Sequence, residues 1–385
     1  MRDVVVVGAG PAGIHAASLL AQAGLDVVLF EVQNRVGERA ICSGVLGDEA
    51  FGRFDLPTHP ILADIRCIQA VSPGGRTLEH RTDVPLAQVL DKGEFNRALA
   101  QRAIRAGVEM QLGCWVNSLE VEKHSVAINF RSTRAGPSRL RAQVAVITTG
   151  VNGSLNRALG LVRPRQFLRA LQTELTLPPN GNGRATRIYV GQGVAPGAFG
   201  WEIPLGNGKW RVGLMTEQDP EPYFAKLVRR IAPHTEISTL RVDRKGIAQA
   251  PVGHCVTERV VAAGEAAGHI KTTTGGGIYY GLLSAELAAD VVTRAFRKKS
   301  FNLRTLGEFE RYWRSTFGNE LMVGYFARKL ASHFTDRQIE SFFEVARATD
   351  LLVRLNGRLK FDWHHRALLA TLRALLTLPG GVGAS

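Results

Sequence analysis

The chain opens on a run of four valines, Val4 to Val7, that leads straight into Gly8. That is the pattern of a strand buried on both faces of a parallel sheet. Residues 14–23 then place apolar and small side chains at helical spacing and stop at Gly24, and residues 26–31 return to an apolar run ending on Glu31. Strand, helix and strand in that order predict a βαβ unit. Further buried strands are predicted over 144–149, ending at Gly150, and from Val260 to Gly264, with a long helix over 278–296. Between about Pro164 and Lys245 the period changes to alternation, as in Arg187-Ile-Tyr-Val190 and Trp210-Arg-Val-Gly-Leu214, with glycine turns between. Alternation of this kind predicts an antiparallel sheet, with Phe199, Trp201 and Trp210 expected along one face. The last ninety or so residues return to helical spacing.

The loop between the first strand and its helix reads Gly8-Ala9-Gly10-Pro11-Ala12-Gly13. Gly8 allows the tight turn, Gly10 lets the backbone approach a pyrophosphate, and Gly13 lets helix and strand pack closely. The helix N-terminus then offers free N–H groups to the phosphates. Glu31, eighteen residues after Gly13, is placed to accept hydrogen bonds from ribose hydroxyls and disfavours a 2′-phosphate. This fingerprint leaves NAD and FAD both open. The predicted fold class is therefore α/β, with a Rossmann-type dinucleotide-binding domain built from 1–163 and 246–297. An antiparallel β-sheet substrate domain is inserted at 164–245, and a helical region follows at 298–385.

Of 385 residues, 48 are Lys or Arg and 34 Asp or Glu, a net charge of +14, with 38 arginines against ten lysines. Such a field suits anionic partners, but the arginines are spread along the whole chain and mark no single binding tract. No recognised nucleic-acid module accompanies them, so a nucleic-acid partner is not expected. Cys42, Cys67, Cys114 and Cys255 are too far apart for a metal knuckle, a redox dithiol or an iron–sulfur cluster. His364 and His365 diverge on a helix, and no metal site is expected. The first strand begins almost at Met1 and no eighteen apolar residues run without a charge, so a cytoplasmic protein that does not span a bilayer is predicted.

Taken together, Gly8/Gly10/Gly13 with Glu31, Thr149-Gly150, and Gly264-Glu265-Ala-Ala-Gly268 followed by Gly275-Gly276-Gly277-Ile278 resemble the three flavin motifs of the para-hydroxybenzoate hydroxylase-like flavoproteins. Within that superfamily the chain is most similar to the geranylgeranyl reductase family. Arg35-Val-Gly37, Cys42-Ser-Gly44 and Lys271-Thr-Thr-Thr-Gly-Gly-Gly-Ile-Tyr-Tyr280 are similar to its flavin-facing segments, and Phe199-Gly-Trp201-Glu-Ile-Pro204 resembles its aromatic pocket motif. The matches run in order from residue 1 to about 295. Where the family carries Asp in the third flavin motif this chain has Glu265. In the aromatic motif it has Phe199 for Tyr, Ile203 for Phe and Leu205 for Lys.

The resemblance implies noncovalent FAD held by Gly8, Gly10, Pro11, Ala12, Gly13, Glu31, Arg35, Gly44, Gly150, Gly264, Glu265, Gly268, Gly275, Gly276, Gly277 and Ile278. It implies that Cys42 lies over the isoalloxazine face as proton donor or relay, and that Phe199, Trp201 and Pro204 belong to the substrate pocket. The implied reaction is reduction of carbon–carbon double bonds in a geranylgeranyl or other isoprenoid chain, on a lipid or a diphosphate. An FAD-dependent monooxygenase of an aromatic or lipid substrate is the alternative on the same fold. No second glycine fingerprint marks a nicotinamide domain, so NAD(P)H and ferredoxin both remain open as reductant. His269 is expected near the ring, at a helix cap or in solvent, and Lys271 either beside the flavin or in solvent. Leu351, Leu352, Leu355, Leu359, Leu368, Leu369, Leu372, Leu375 and Leu376, with Arg366 and Arg373, predict a basic amphipathic tail. That tail would rest on a membrane as a peripheral contact or pack over the flavin domain.

Overall fold

A computed structural model describes residues 1–349, except 134, 163, 165, 178–184 and 250–252, together with 361–364 and 368. The predicted tail leucines other than Leu368 lie outside these residues. The first sheet has a parallel core in the order Val260–Ala262, Gly136–Ile147, Arg2–Val7, Val27–Phe30, Glu109–Gln111. Val4, Val5 and Val6 are wholly buried, as four consecutive valines between two strand neighbours require. The strand Gly136–Ile147 has two personalities. Its first half alternates and pairs antiparallel with Val126–Ser132, while its continuous apolar end, Val144 to Ile147, pairs parallel with Arg2–Val7. It stops at Ile147 rather than at 149, where the Thr148 hydroxyl lies within donating distance of the carbonyls of Val7 (2.9 Å) and Gly8 (3.0 Å).

The first helix, Pro11–Gln22, starts three residues before the predicted 14. Proline fits the first helical turn, where its missing N–H would have no partner, so the helix begins ahead of its apolar stripe. The long helix Ile278–Lys298 packs across it with small residues: Gly281 faces Ala12, whose Cβ lies 3.5 Å from where a Cβ at Gly281 would stand.

The second sheet runs Asp243–Ala248, Phe167–Thr176, Lys209–Thr216, Phe199–Gly206, Thr186–Val190, Cys67–Val71, Thr77–Arg81. All neighbours are antiparallel except Thr186–Val190 with Cys67–Val71. The alternating stretch thus forms this sheet, but a hairpin from 67–81, within the segment assigned by sequence to the nucleotide-binding part, completes it. One face is covered by the helix Glu221–Ile231, with Phe224 and Leu227 buried against it. The other faces a three-stranded sheet of Val45–Gly47, Ala87–Leu90 and Ile61–Ile65 across a shared core of Ile65, Val89, Leu168 and Ile203. Helices Glu308–Trp313, Asn319–Ala331 and Asp336–Ala348 follow, the last opened by a Thr335–Gln338 capping box. No helix among the described residues is long and apolar enough to cross a membrane.

Candidate active site

The parallel strands Arg2–Val7, Gly136–Ile147 and Val260–Ala262 end at one edge, which brings three separate glycine segments together. Gly8 turns there with φ 107°, its N–H donating to Phe30 O at 2.8 Å. A Cβ on Gly13 would overlap Gly8 O and Thr148 Oγ1, so only glycine fits where helix meets strand. Gly10, in contrast, has nothing within 4 Å of the place a Cβ would occupy. Glu31 accepts from Ala9 N (2.8 Å) through one oxygen and from Gln33 N (2.9 Å) through the other, leaving lone pairs on both for a further donor. Gly264 meets Ala12, and a Cβ at Gly150 would stand 3.5 Å from Glu265 Oε2. Arg35 is exposed on the loop after Glu31.

Glu265 sits in the short turn Gly264–Ala267, closed by Gly268 at φ 67°. Its Oε2 pairs with Lys245 Nζ at 3.3 Å, while its Oε1 is buried with no hydrogen-bond partner among the described residues. Burial works against the Lys245 ammonium, yet Glu265 and then Cys42 outweigh it and hold its pKa above the usual lysine value. Lys92, at the start of Lys92–Arg105, is buried, and that burial lowers its pKa to about 8.

Beyond this edge a cavity of about 370 Å³ lies between the second sheet and the loop 271–277. Ile65, Ile68, Ile188, Trp201, Ile203 and Met215 give it apolar walls, and Cys42, Ser43, Lys271 and Gly275 to Ile278 also line it. Phe199 and Trp201 are in the lining, their rings edge to face at 6.1 Å. Gly213 admits the indole, since a Cβ there would press on Trp201 at 2.6 Å. Pro204 pairs with Trp210 on the opposite face of the sheet, and Trp210 packs against the apolar cluster that includes Leu171, Val212 and Phe224 rather than beside Trp201 as the alternation predicted. Phe199 and Trp201 are odd-numbered on their strand, Pro204 is even, and Trp210 shares the register of Pro204.

The segment around Cys42 is pinned from the second sheet. Gln172 Nε2 donates to Cys42 O (3.1 Å), and Arg211 Nη1 to Ser43 O (2.7 Å) while its other nitrogens hold Glu174. Gly44, at φ 77°, sits so close to Leu90 O that a Cβ would approach it to 2.5 Å. Sequence reading missed Gln172, Arg211, Lys92 and Lys245. The first two left a signal, polar side chains on the face of a strand that otherwise points inward.

His269 is neither at a cap nor in solvent. It is fully buried among Phe309, Trp313 and Phe317, bonded to Ser284 Oγ at 2.7 Å, and burial takes its pKa down to about 3. It therefore stays neutral and structural. Lys271 is buried too, paired with Asp362 at 2.9 Å. No cluster of His, Cys, Asp and Glu that could hold a metal occurs among the described residues.

A family model described as FAD dependent oxidoreductase matches residues 3–160. Digeranylgeranylglycerophospholipid reductase 2 of Methanococcoides burtonii is 26% identical over 358 residues, covering 88% of this chain and 86% of its own. The digeranylgeranylglycerophospholipid reductase of Methanosarcina acetivorans is 26% identical over 391 residues, covering 95% and 96%. Among solved structures, a geranylgeranyl bacteriochlorophyll reductase-like protein of Thermoplasma acidophilum superposes with a TM-score of 0.82 at 20% identity, over 89% of this chain and 90% of its own. The p-nitrophenol 4-monooxygenase of Pseudomonas putida gives 0.72 at 19% identity, over 98% and 97%. FAD fits the residues present, because the space over Gly10 is open and a buried carboxylate oxygen of Glu265 awaits a donor. The chain is an FAD-dependent oxidoreductase that resembles the geranylgeranyl reductase flavoproteins.

Proposed function

We propose that this enzyme reduces carbon–carbon double bonds of a geranylgeranyl or other isoprenoid chain, carried on a lipid or a diphosphate. The observation that carries this reading is the cavity itself: aliphatic and aromatic walls, with one thiol and a glycine loop in the same lining. An isolated alkene offers no carbonyl to polarise, so a shaped apolar cavity that fixes its position supplies much of the rate. FAD, when bound, supplies the hydride, and NAD(P)H or ferredoxin would replenish it.

The chain's own residues then have separate tasks. Gly8, Gly10, Pro11, Ala12 and Gly13 hold the pyrophosphate at a helix N-terminus, and Glu31 the adenosine ribose. Gly150, Gly264, Glu265 and Gly268 hold the ribityl chain, with Glu265 Oε1 as acceptor. Glu265, one methylene longer than the family's Asp, pairs with Lys245 through its other oxygen. Gly276, Gly277 and Ile278 present N–H groups at the positive end of the 278–298 helix, where negative charge on a reduced ring is stabilised, and Gly275 turns the loop with its own N–H on Lys271 O. Arg35 and Gly44 shape the loops on either side. Cys42 Sγ holds the proton that completes the alkane, while Phe199 and Trp201 position the chain and Gln172 and Arg211 keep the Cys42 backbone in place.

The helix Asn319–Ala331 is the element suited to meet a lipid surface. Gly324 packs against Thr272 and Thr273 of the cavity loop, while Met322, Phe326 and Leu330, four residues apart, stand 42%, 62% and 55% exposed as one stripe. Localisation would then be cytoplasmic with peripheral membrane contact.

The test is anaerobic photoreduction followed by mixing with geranylgeranyl diphosphate, a geranylgeranylated glycerophospholipid, or a quinone. Reoxidation by a prenyl compound, with a saturated product, is expected. Reoxidation by oxygen alone, yielding a hydroxylated aromatic or lipid, would replace this reading with the monooxygenase.

A further inference from the structure

Residues 361–364 come from the far end of the chain, yet they lie inside the site. Phe361 and His364 line the cavity. Between them Asp362 is 4% exposed, and each of its carboxylate oxygens reaches a different wall. Oδ1 accepts from Lys271 Nζ at 2.9 Å, and Oδ2 from Gly47 N at 3.0 Å. Lys271 Nζ also donates to Phe361 O at 2.7 Å, and the Tyr280 hydroxyl donates to Asp362 O. Trp363 Nε1 donates to Tyr279 OH at 3.1 Å, and His364 Nδ1 meets Thr273 Oγ1 at 2.9 Å.

These partners are the two sides of the cavity. Lys271 opens the glycine loop, exchanging backbone bonds with Gly275 (2.7 Å) and Gly276 (2.9 Å), and a Cβ on Gly276 would stand 3.3 Å from Lys271 Cε and 3.9 Å from Nζ. Gly47 ends the strand that follows Cys42, Ser43 and Gly44, and a Cβ there would overlap Asp362 Oδ2.

We infer that residues 361–364 form a clasp in which Asp362 is a positioning residue: it ties the Cys42 side of the cavity to the glycine loop and cancels the charge of Lys271 behind Gly276. A buried ammonium directly behind that loop, left without its carboxylate, would favour negative charge on the reduced flavin. The resting enzyme therefore keeps its flavin at a lower potential than Lys271 alone would set. This rests on the placement of the ring against Gly275 to Gly277 given above, and it needs no assumption about the substrate.

The test reads the midpoint potential of bound FAD by spectroelectrochemistry in the holoenzyme, without substrate. Asp362→Asn keeps the shape and one of the two acceptor oxygens but removes the charge, and a positive shift is expected. In Asp362→Asn with Lys271→Met the shift should disappear, which a purely structural role would not produce. Asp362→Ser, which removes the same charge with a smaller side chain, should move the potential in the same direction and serves where Asp362→Asn does not fold. An unchanged potential in a folded, FAD-loaded Asp362→Asn or Asp362→Ser, or a shift that survives removal of Lys271, would overturn the clasp. A failure of prenyl compounds to reoxidise the enzyme would bear on the proposed substrate and leave this result intact.

Discussion

At the scale of single residues, two glycines in one turn have opposite functions and can be told apart. Gly13 is required by the protein itself, since any Cβ overlaps Gly8 O and Thr148 Oγ1, whereas Gly10 faces open space. Gly13→Ala should lower the unfolding temperature by several degrees and lose FAD with it. Gly10→Val should melt like the wild-type apoprotein yet fail to take up FAD, as followed by flavin fluorescence and by the stabilisation that a bound ligand confers. The thiol of Cys42 calls for a different measurement. Cys42→Ala should retain FAD with a near-normal spectrum and reoxidise with the prenyl substrate about 10²-fold more slowly or worse, the usual worth of a positioned proton donor. Cys42→Ser should fall between, a hydroxyl being the weaker acid. Undiminished reduction by Cys42→Ala would return this residue to the cavity wall. Sequence made both glycines legible because local backbone chemistry dictates them, whereas Cys42 was singled out by the family resemblance alone. The pairs Asp362–Lys271 and Lys245–Glu265 were not legible, since each exists only after separate segments meet.

At the scale of elements, period told strand from helix but not which neighbours a strand would find. The βαβ unit and the long helix were readable because runs of valine and small residues at helical spacing have few other uses. The hairpin 67–81 was not, because its pairing with Thr186–Val190 is non-local and nothing in its own alternation names a partner. The face of Trp210 was misjudged for a related reason: alternation fixes sides within a strand, and only the register between strands fixes them across a sheet. Arg211 is where that register matters for the site, since it carries a sheet strand's hold on Ser43 O. Arg211→Met removes a charge-assisted bond and leaves that carbonyl short of a donor, at a cost of about 1–3 kcal/mol. Urea unfolding should register the loss. The rate of flavin reoxidation by substrate should fall more than FAD affinity, because the loosened segment carries Cys42.

At the scale of the whole molecule, the charge of +14 and the exposed stripe on the 319–331 helix are different contributions to one surface property. Attraction of a basic protein to acidic vesicles is screened over about 8 Å at physiological ionic strength, while burial of Met322, Phe326 and Leu330 in a bilayer is not. Binding to anionic vesicles should therefore weaken with salt towards a plateau. Phe326→Ser with Leu330→Ser should lower that plateau about tenfold or more, and equal binding by wild type and variant at high salt would exclude this helix from the contact. The clasp has a consequence in time as well as in space. Gly47 and Asp362 are separated by 315 positions, so a ribosome finishes the nucleotide-binding strands and the 278–298 helix well before it makes the residue that joins the cavity walls. The two walls of the cavity are thus joined by one of the last parts of the chain to be made.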